Sequence, residues 1–153
     1  MIVGSDIYIC KTTSMKTFNE LGITEEQHSN YLKLLLFVKA NPATPFDISY
    51  FTRCEPLGGA IVFDTIQGIY PEGTTRCLAG LGPLAGIEHF VGENWGKYIT
   101  RVFGCCGDTV IYDFLFNCDH ENSLAAATKR LEHFLAEGIP EVDDASELNT
   151  FEC

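Results

Sequence analysis

Four residues that could hold a metal ion, Cys105, Cys106, Cys118 and His120, fall within sixteen positions of one another. Zinc would need them as a tetrahedral set, with the cysteines of each pair usually two to four residues apart. Adjacent Cys105 and Cys106 do not make that knuckle. If Thr109 to Phe116 runs as a strand at ~3.3 Å per residue, the two pairs stand roughly 25 to 30 Å apart. The spacing predicts ordinary thiols, no metal site and no cofactor. Nucleophilic chemistry is the next possibility, since His28, His89, His120 or His133 could activate one of seven cysteines. A reactive thiol needs a neighbour that stabilises its thiolate, and no local cysteine-protease signature is present. The run Gly80-Leu81-Gly82-Pro83-Leu84-Ala85-Gly86 has the spacing of a dinucleotide loop. Pro83 sits inside it, however, and His89-Phe90-Val91 follows where a helix would have to present its N-terminus to phosphate. No enzyme is expected, and a small cysteine-dependent enzyme is the alternative.

One cluster withstands these tests. Gly92-Glu93-Asn94-Trp95-Gly96 leads into the β-branched and aromatic run Lys97 to Phe103, and Asn117 to Asn122 leaves a second such run, Thr109 to Phe116. Read as the two strands of a hairpin about Gly104 to Asp108, the runs bring their open ends together. Glu93, Asn94 and Trp95 then face Asp119, His120 and Glu121 across an acidic edge with one tryptophan beside it. These six residues form the expected partner-binding set. The plainer reading of the same residues is a turn followed by a helix cap.

The elements that must position this edge read as an α+β domain: an antiparallel or mixed β-sheet with helices packed against it and a closing C-terminal amphipathic helix. Alternation over Ile2-Val3 and Ile7 to Cys10 suggests an opening strand, and Ser14 is placed to cap a short helix through Phe18 and Leu21 that ends at Gly22. Thr24-Glu25-Glu26-Gln27 is a capping box that starts a longer helix, stopped by Asn41-Pro42. Asn41 to Leu57, with three prolines, reads as a packed irregular connection. Ala60 to Phe63 and Ile66 to Tyr70 read as strands, and Gly80 to Gly86 as a loop. The last helix starts at Asn122 or Ser123, aligns Leu124, Ala127, Leu131, Phe134 and Leu135 on one face, and ends at Gly138. Residues 1–140 form one domain, and 141–153 an acidic, frayed tail.

With 21 acidic against 10 basic side chains among 153 residues, the net charge is -11. Such a surface lacks the clustered cations that phosphate backbones require, so nucleic acid is not an expected partner. No apolar run approaches the roughly 20 residues of a membrane span, and Met1 to Asp6 carries no leader-like basic segment. An odd number of cysteines without paired spacing fits reduced thiols in the cytoplasm.

The order His89 to Ile99, then Gly107-Asp108-Thr109-Val110-Ile111-Tyr112-Asp113-Phe114, then Leu124 through Leu131-Glu132-His133-Phe134-Leu135, resembles the C-terminal half of the SUKH superfamily. The resemblance spans roughly residues 89 to 136. It implies a binding domain without catalysis, of the kind found in bacterial immunity proteins that neutralise a cognate toxin by direct contact. An acidic surface suits a basic toxin, because opposite charges speed encounter. A passive scaffold domain is the remaining expectation.

Overall fold

The computed structural model describes residues 15–55, 58–105 and 109–140. The expected opening strand, Ser14 and the tail from 141 lie outside these. Helices α1 (Phe18–Leu21) and α2 (Glu25–Ala40) come first, then strands β1 (Thr52–Cys54), β2 (Ile61–Val62) and β3 (Thr75–Arg76). A 3-10 segment (Ala79–Ala85) follows, and the chain closes with α3 (Trp95–Phe103), α4 (Val110–Phe116) and α5 (Leu124–Glu137). The strands form one antiparallel sheet in the order β2-β1-β3, with Cys54 opposite Ile61 and Thr52 opposite Arg76. The fold class is therefore α+β, with far more of the chain in helices than in strands.

The starts of α1, α2 and α5 have local causes. Thr17, not Ser14, caps α1 through a capping box with Glu20, whose carboxyl is held below its usual range by the Thr17 backbone N–H and hydroxyl. The Thr24 hydroxyl accepts from the Gln27 N–H at 3.1 Å while the Gln27 side chain accepts from the Thr24 N–H at 3.0 Å, starting α2 as its sequence predicts. Tyr31, Leu34, Leu35 and Val38 recur at helical spacing and are all buried. In α5, Ser123 is the cap, and Leu124, Ala127, Leu131, Phe134 and Leu135 face the core, again as expected. Arg130, on the same helix, is completely buried.

The hairpin is not there. Residues 95–103 and 110–116 are helices, and the strand pair on which the SUKH-like layout rests is absent. The reason lies in spacing: Trp95, Tyr98, Ile99, Val102 and Phe103 are the buried residues of α3, at steps of three and four rather than two. The Asn94 side chain accepts from the Gly96 and Lys97 N–H groups and so starts a helix where a strand entry was expected. At the other end, the last carbonyls of α3 have no partners within the helix. Three side chains of α2 supply them: Gln27 Nε2 to Arg101 O at 3.4 Å, Asn30 Nδ2 to Val102 O at 2.9 Å, and the Tyr31 hydroxyl to Phe103 O at 2.8 Å. Gly104 then turns the chain at φ 72°, so close to Gln27 that a side chain would collide with its amide.

Two smaller expectations also change. Ile66 to Tyr70 is not a strand; Ile66 is buried and its neighbours form an irregular loop. Gly80 to Gly86 is a 3-10 turn packed on the core rather than an open loop.

Candidate functional site

Two loops, 64–70 and 87–94, are stitched to each other by their backbones. The Ile66 N–H donates to Glu93 O at 2.9 Å, the Gly92 N–H to Ile66 O at 2.7 Å, and Thr65 bridges antiparallel to Asn94. Gly68 lies against the Val91 side chain: a Cβ on it would sit 3.6 Å from Val91 Cγ2. From α3, Arg101 reaches back over the second loop, with Nε to Glu93 Oε2 at 3.1 Å and Nη2 to Glu93 Oε1 at 2.7 Å. Its guanidinium stands 4.9 Å from the centre of the Phe90 ring. The Glu93 hydrogen bonds and nearby carboxylates raise the pKa of Arg101. Loops pinned at this many points hold their shape, yet they present Ile69, Val91 and Phe90 to solvent at 89%, 68% and 54% exposure. Asp64, Glu72 and Glu88 are exposed nearby in sequence, and among the described residues only Glu88 of these has a cation within 4 Å, Arg101 Nη1 at 3.9 Å.

No family model, curated protein or solved structure matches the chain.

Of the six residues expected to form one edge, Glu93 and Asn94 do stand on this surface, but not as free groups. Glu93 is closed into the Arg101 pair and Asn94 is the α3 cap. Trp95 is corrected outright: only 1% exposed, it stacks on Phe51 at 5.5 Å and meets Tyr98 edge-on at 5.4 Å, so it is a core residue and not a surface anchor. Asp119, His120 and Glu121 form the entry to α5, the plainer reading of those residues. Asp119 N–H donates to Asn117 Oδ1, Glu121 accepts from the Ser123 hydroxyl, and His120 Nε2 lies 2.8 Å from Asp113 O. The hydrogen bonds of the first segment run to Ile66 and Arg101, while Asn122 in the second reaches Asp47 and Ile48. Without the hairpin, nothing requires the two segments to share an edge. Ile69 falls in the run expected as a strand, and beside Phe90 and Val91 only the Gly92 turn hints at exposure.

The thiols are also placed differently. With α4 helical at ~1.5 Å per residue, its seven residues span about 10 Å, so the long separation between Cys105 and Cys118 does not stand. Burial raises the pKa of the Tyr112 hydroxyl, with further contributions from Cys77, Cys105 and Cys118. Among the described residues, no group of three His, Cys, Asp or Glu side chains could hold a metal ion. Cys77 and Cys118 line a cavity of about 210 Å³ beside Tyr112. Burial pushes the Cys77 thiol up to about 11, which keeps it protonated near neutrality and a poor nucleophile. Cys118 is exposed, whereas Cys54 and Cys105 are buried. In the folded protein at pH 8, Ellman's reagent should therefore modify Cys118 about as fast as it modifies glutathione. Cys54, Cys77 and Cys105 should react only on unfolding, as read residue by residue from peptide masses. Rapid labelling of Cys77, or a Cys118 rate far above that of glutathione, would favour a cysteine-dependent enzyme.

Proposed function

We infer that this chain is a binding protein that docks a basic protein partner on the loop surface around Ile69, Phe90 and Val91 and neutralises it by occupancy, as an antitoxin does. The observation that carries this reading is three large apolar side chains held out to solvent on rigidly fastened loops. Exposed apolar groups ringed by polar ones are the usual composition of a protein-binding patch. The net charge of -11 supplies the second support, since it steers basic partners toward the surface. Among the described residues, no helix is long and apolar enough to cross a membrane. The likeness to immunity proteins now rests on the turn at Gly92 and the closing helix, so the surface bears more of the weight.

The test begins with the partner, captured on the immobilised chain and then purified. The double variant Ile69→Ser, Val91→Ser touches only exposed side chains and should keep the fold, yet bind about tenfold more weakly, a loss of ~1.4 kcal/mol. Raising the salt from low to physiological ionic strength should slow association more than it changes dissociation. A host that stops growing when the partner alone is expressed should recover when the chain is co-expressed. Equal affinity of parent and double variant would overturn the assignment. So would a loss confined to Asp119→Lys, Glu121→Lys, which would move the interface to the α5 entry.

A further inference from the structure

Behind the stitched loops, between β3 and the C-terminal end of α2, lies a groove of about 460 Å³. Such a volume falls within the range of small-molecule sites. Its walls are mainly apolar, from Phe37, Pro45, Pro71 and Leu84, and no carboxylate lines it. Its polar groups are unevenly committed. Thr44 and Thr74 give their hydroxyl protons to backbone carbonyls, Asn41 O at 2.8 Å and Pro71 O at 2.6 Å. The Tyr70 hydroxyl instead accepts, from the Gln67 N–H at 3.0 Å, which leaves its own proton to give. Arg76 lies with its guanidinium 4.9 Å from the centre of the Tyr70 ring. Burial depresses its pKa, yet no carboxylate pairs with it among the described residues.

A partly desolvated guanidinium without a carboxylate partner among the described residues is an unusual feature in a protein with twice as many acids as bases. Desolvation without a partner is costly, and an anion seated on the guanidinium would recover that cost. The two free donors, Arg76 and the Tyr70 hydroxyl, both ask for an acceptor, and a planar guanidinium matches a planar carboxylate in two parallel hydrogen bonds. A phosphate would meet only one cation here, within a field of net negative charge that repels multiply charged anions. A single carboxylate on a ring-sized apolar body suffers less from that field and fills the walls. We propose that this groove is a binding site for a small monocarboxylate with an aromatic or branched aliphatic body, its carboxylate on Arg76 and Tyr70 and its body between Phe37 and Leu84.

The probes are phenylacetate, its neutral isostere 2-phenylacetamide, and inorganic phosphate, each titrated into the whole chain while backbone amides and the Arg76 side chain are followed by NMR. Phenylacetate should shift the signals of Gln67, Tyr70 and Arg76 to saturation, and phenylacetamide should bind at least about tenfold more weakly. Arg76→Gln should remove that difference, whereas Arg76→Lys should keep part of it. Should Arg76→Gln fail to fold, Tyr70→Phe keeps the ring, removes one donor, and should narrow the gap between the two probes. Equal binding of the acid and the amide, tighter binding of phosphate than of phenylacetate, or no saturable shift in the groove would each overturn the proposal.

Discussion

Phe134→Ala is expected to cost ~3 to 5 kcal/mol, the loss typical when a fully buried aromatic ring is removed. Phe134 is 1% exposed and its ring centre stands 5.1 Å from that of Tyr31. Tyr31 in turn is 4.8 Å from Phe103 and gives its hydroxyl proton to the Phe103 carbonyl. A hole at Phe134 therefore opens where α2, α3 and α5 meet, and it loosens the side chain that completes the end of α3. A domain of this size is stable by only ~5 to 15 kcal/mol, so roughly a fifth or more of the total is at stake. Urea unfolding should show the shift in the midpoint with an unchanged slope. Leu36→Ala, on the exposed face of α2 at 70% exposure, should change stability by less than ~0.5 kcal/mol. A Phe134→Ala loss below ~1 kcal/mol would mean that α5 is not docked as described.

What was legible in the sequence was whatever depends on neighbours in sequence. The Thr24–Gln27 box, the Ser123 cap and the apolar face from Leu124 to Leu135 are each written within one or two helical turns, and each stands in the structure. The runs 97–103 and 109–116 misled because Ile99, Val102, Val110 and Ile111, with their aromatic neighbours, favour strands by type. Trp95, Tyr98, Ile99, Val102 and Phe103 nevertheless follow the helical period, and the caps at Asn94 and Thr109 agree with it. Residue type favours strands in these runs, and the helical period of the buried positions outweighs it. The contacts that secure α3 come from Gln27, Asn30 and Tyr31, more than seventy positions away, and no local pattern announces them. The candidate site fared worse for the same reason. Glu93 and Asp119 were joined only by the hairpin, and Trp95 lost its place at the surface when its helix turned it inward. Arg76 stands between Thr75 and Cys77 with no signal in the sequence that its charge would meet no carboxylate among the described residues.

The 3-10 segment joins the core to the groove, and its tightest point is Gly80. A Cβ on this residue would lie 1.9 Å from Phe51 O and 2.9 Å from Phe51 C, both backbone atoms, and 3.3 Å from Arg76 Cβ. A side chain in the way could rotate aside; the backbone leading into β1 cannot. Gly80→Ala must therefore push the 3-10 segment away from the sheet and break into a packed layer, with an expected cost of about 3 kcal/mol, the upper part of the range for overpacking. The displacement has a signature that simple loss of stability lacks. The Cys77 N–H donates to Tyr50 O at 2.9 Å, and the Cys77 thiol is now buried. Separation of the segment from residues 50 and 51 should expose that thiol, so Cys77 should become reactive to Ellman's reagent under conditions in which Cys54 and Cys105 stay protected. Gly58→Ala is the matched control, since a Cβ there meets nothing within 4 Å and the backbone is not in the left-handed region. It should leave the urea midpoint unchanged or raise it slightly, because alanine restricts the unfolded chain. A Gly80→Ala protein as stable as its parent, with Cys77 still protected, would show that the 3-10 segment does not pack on Phe51.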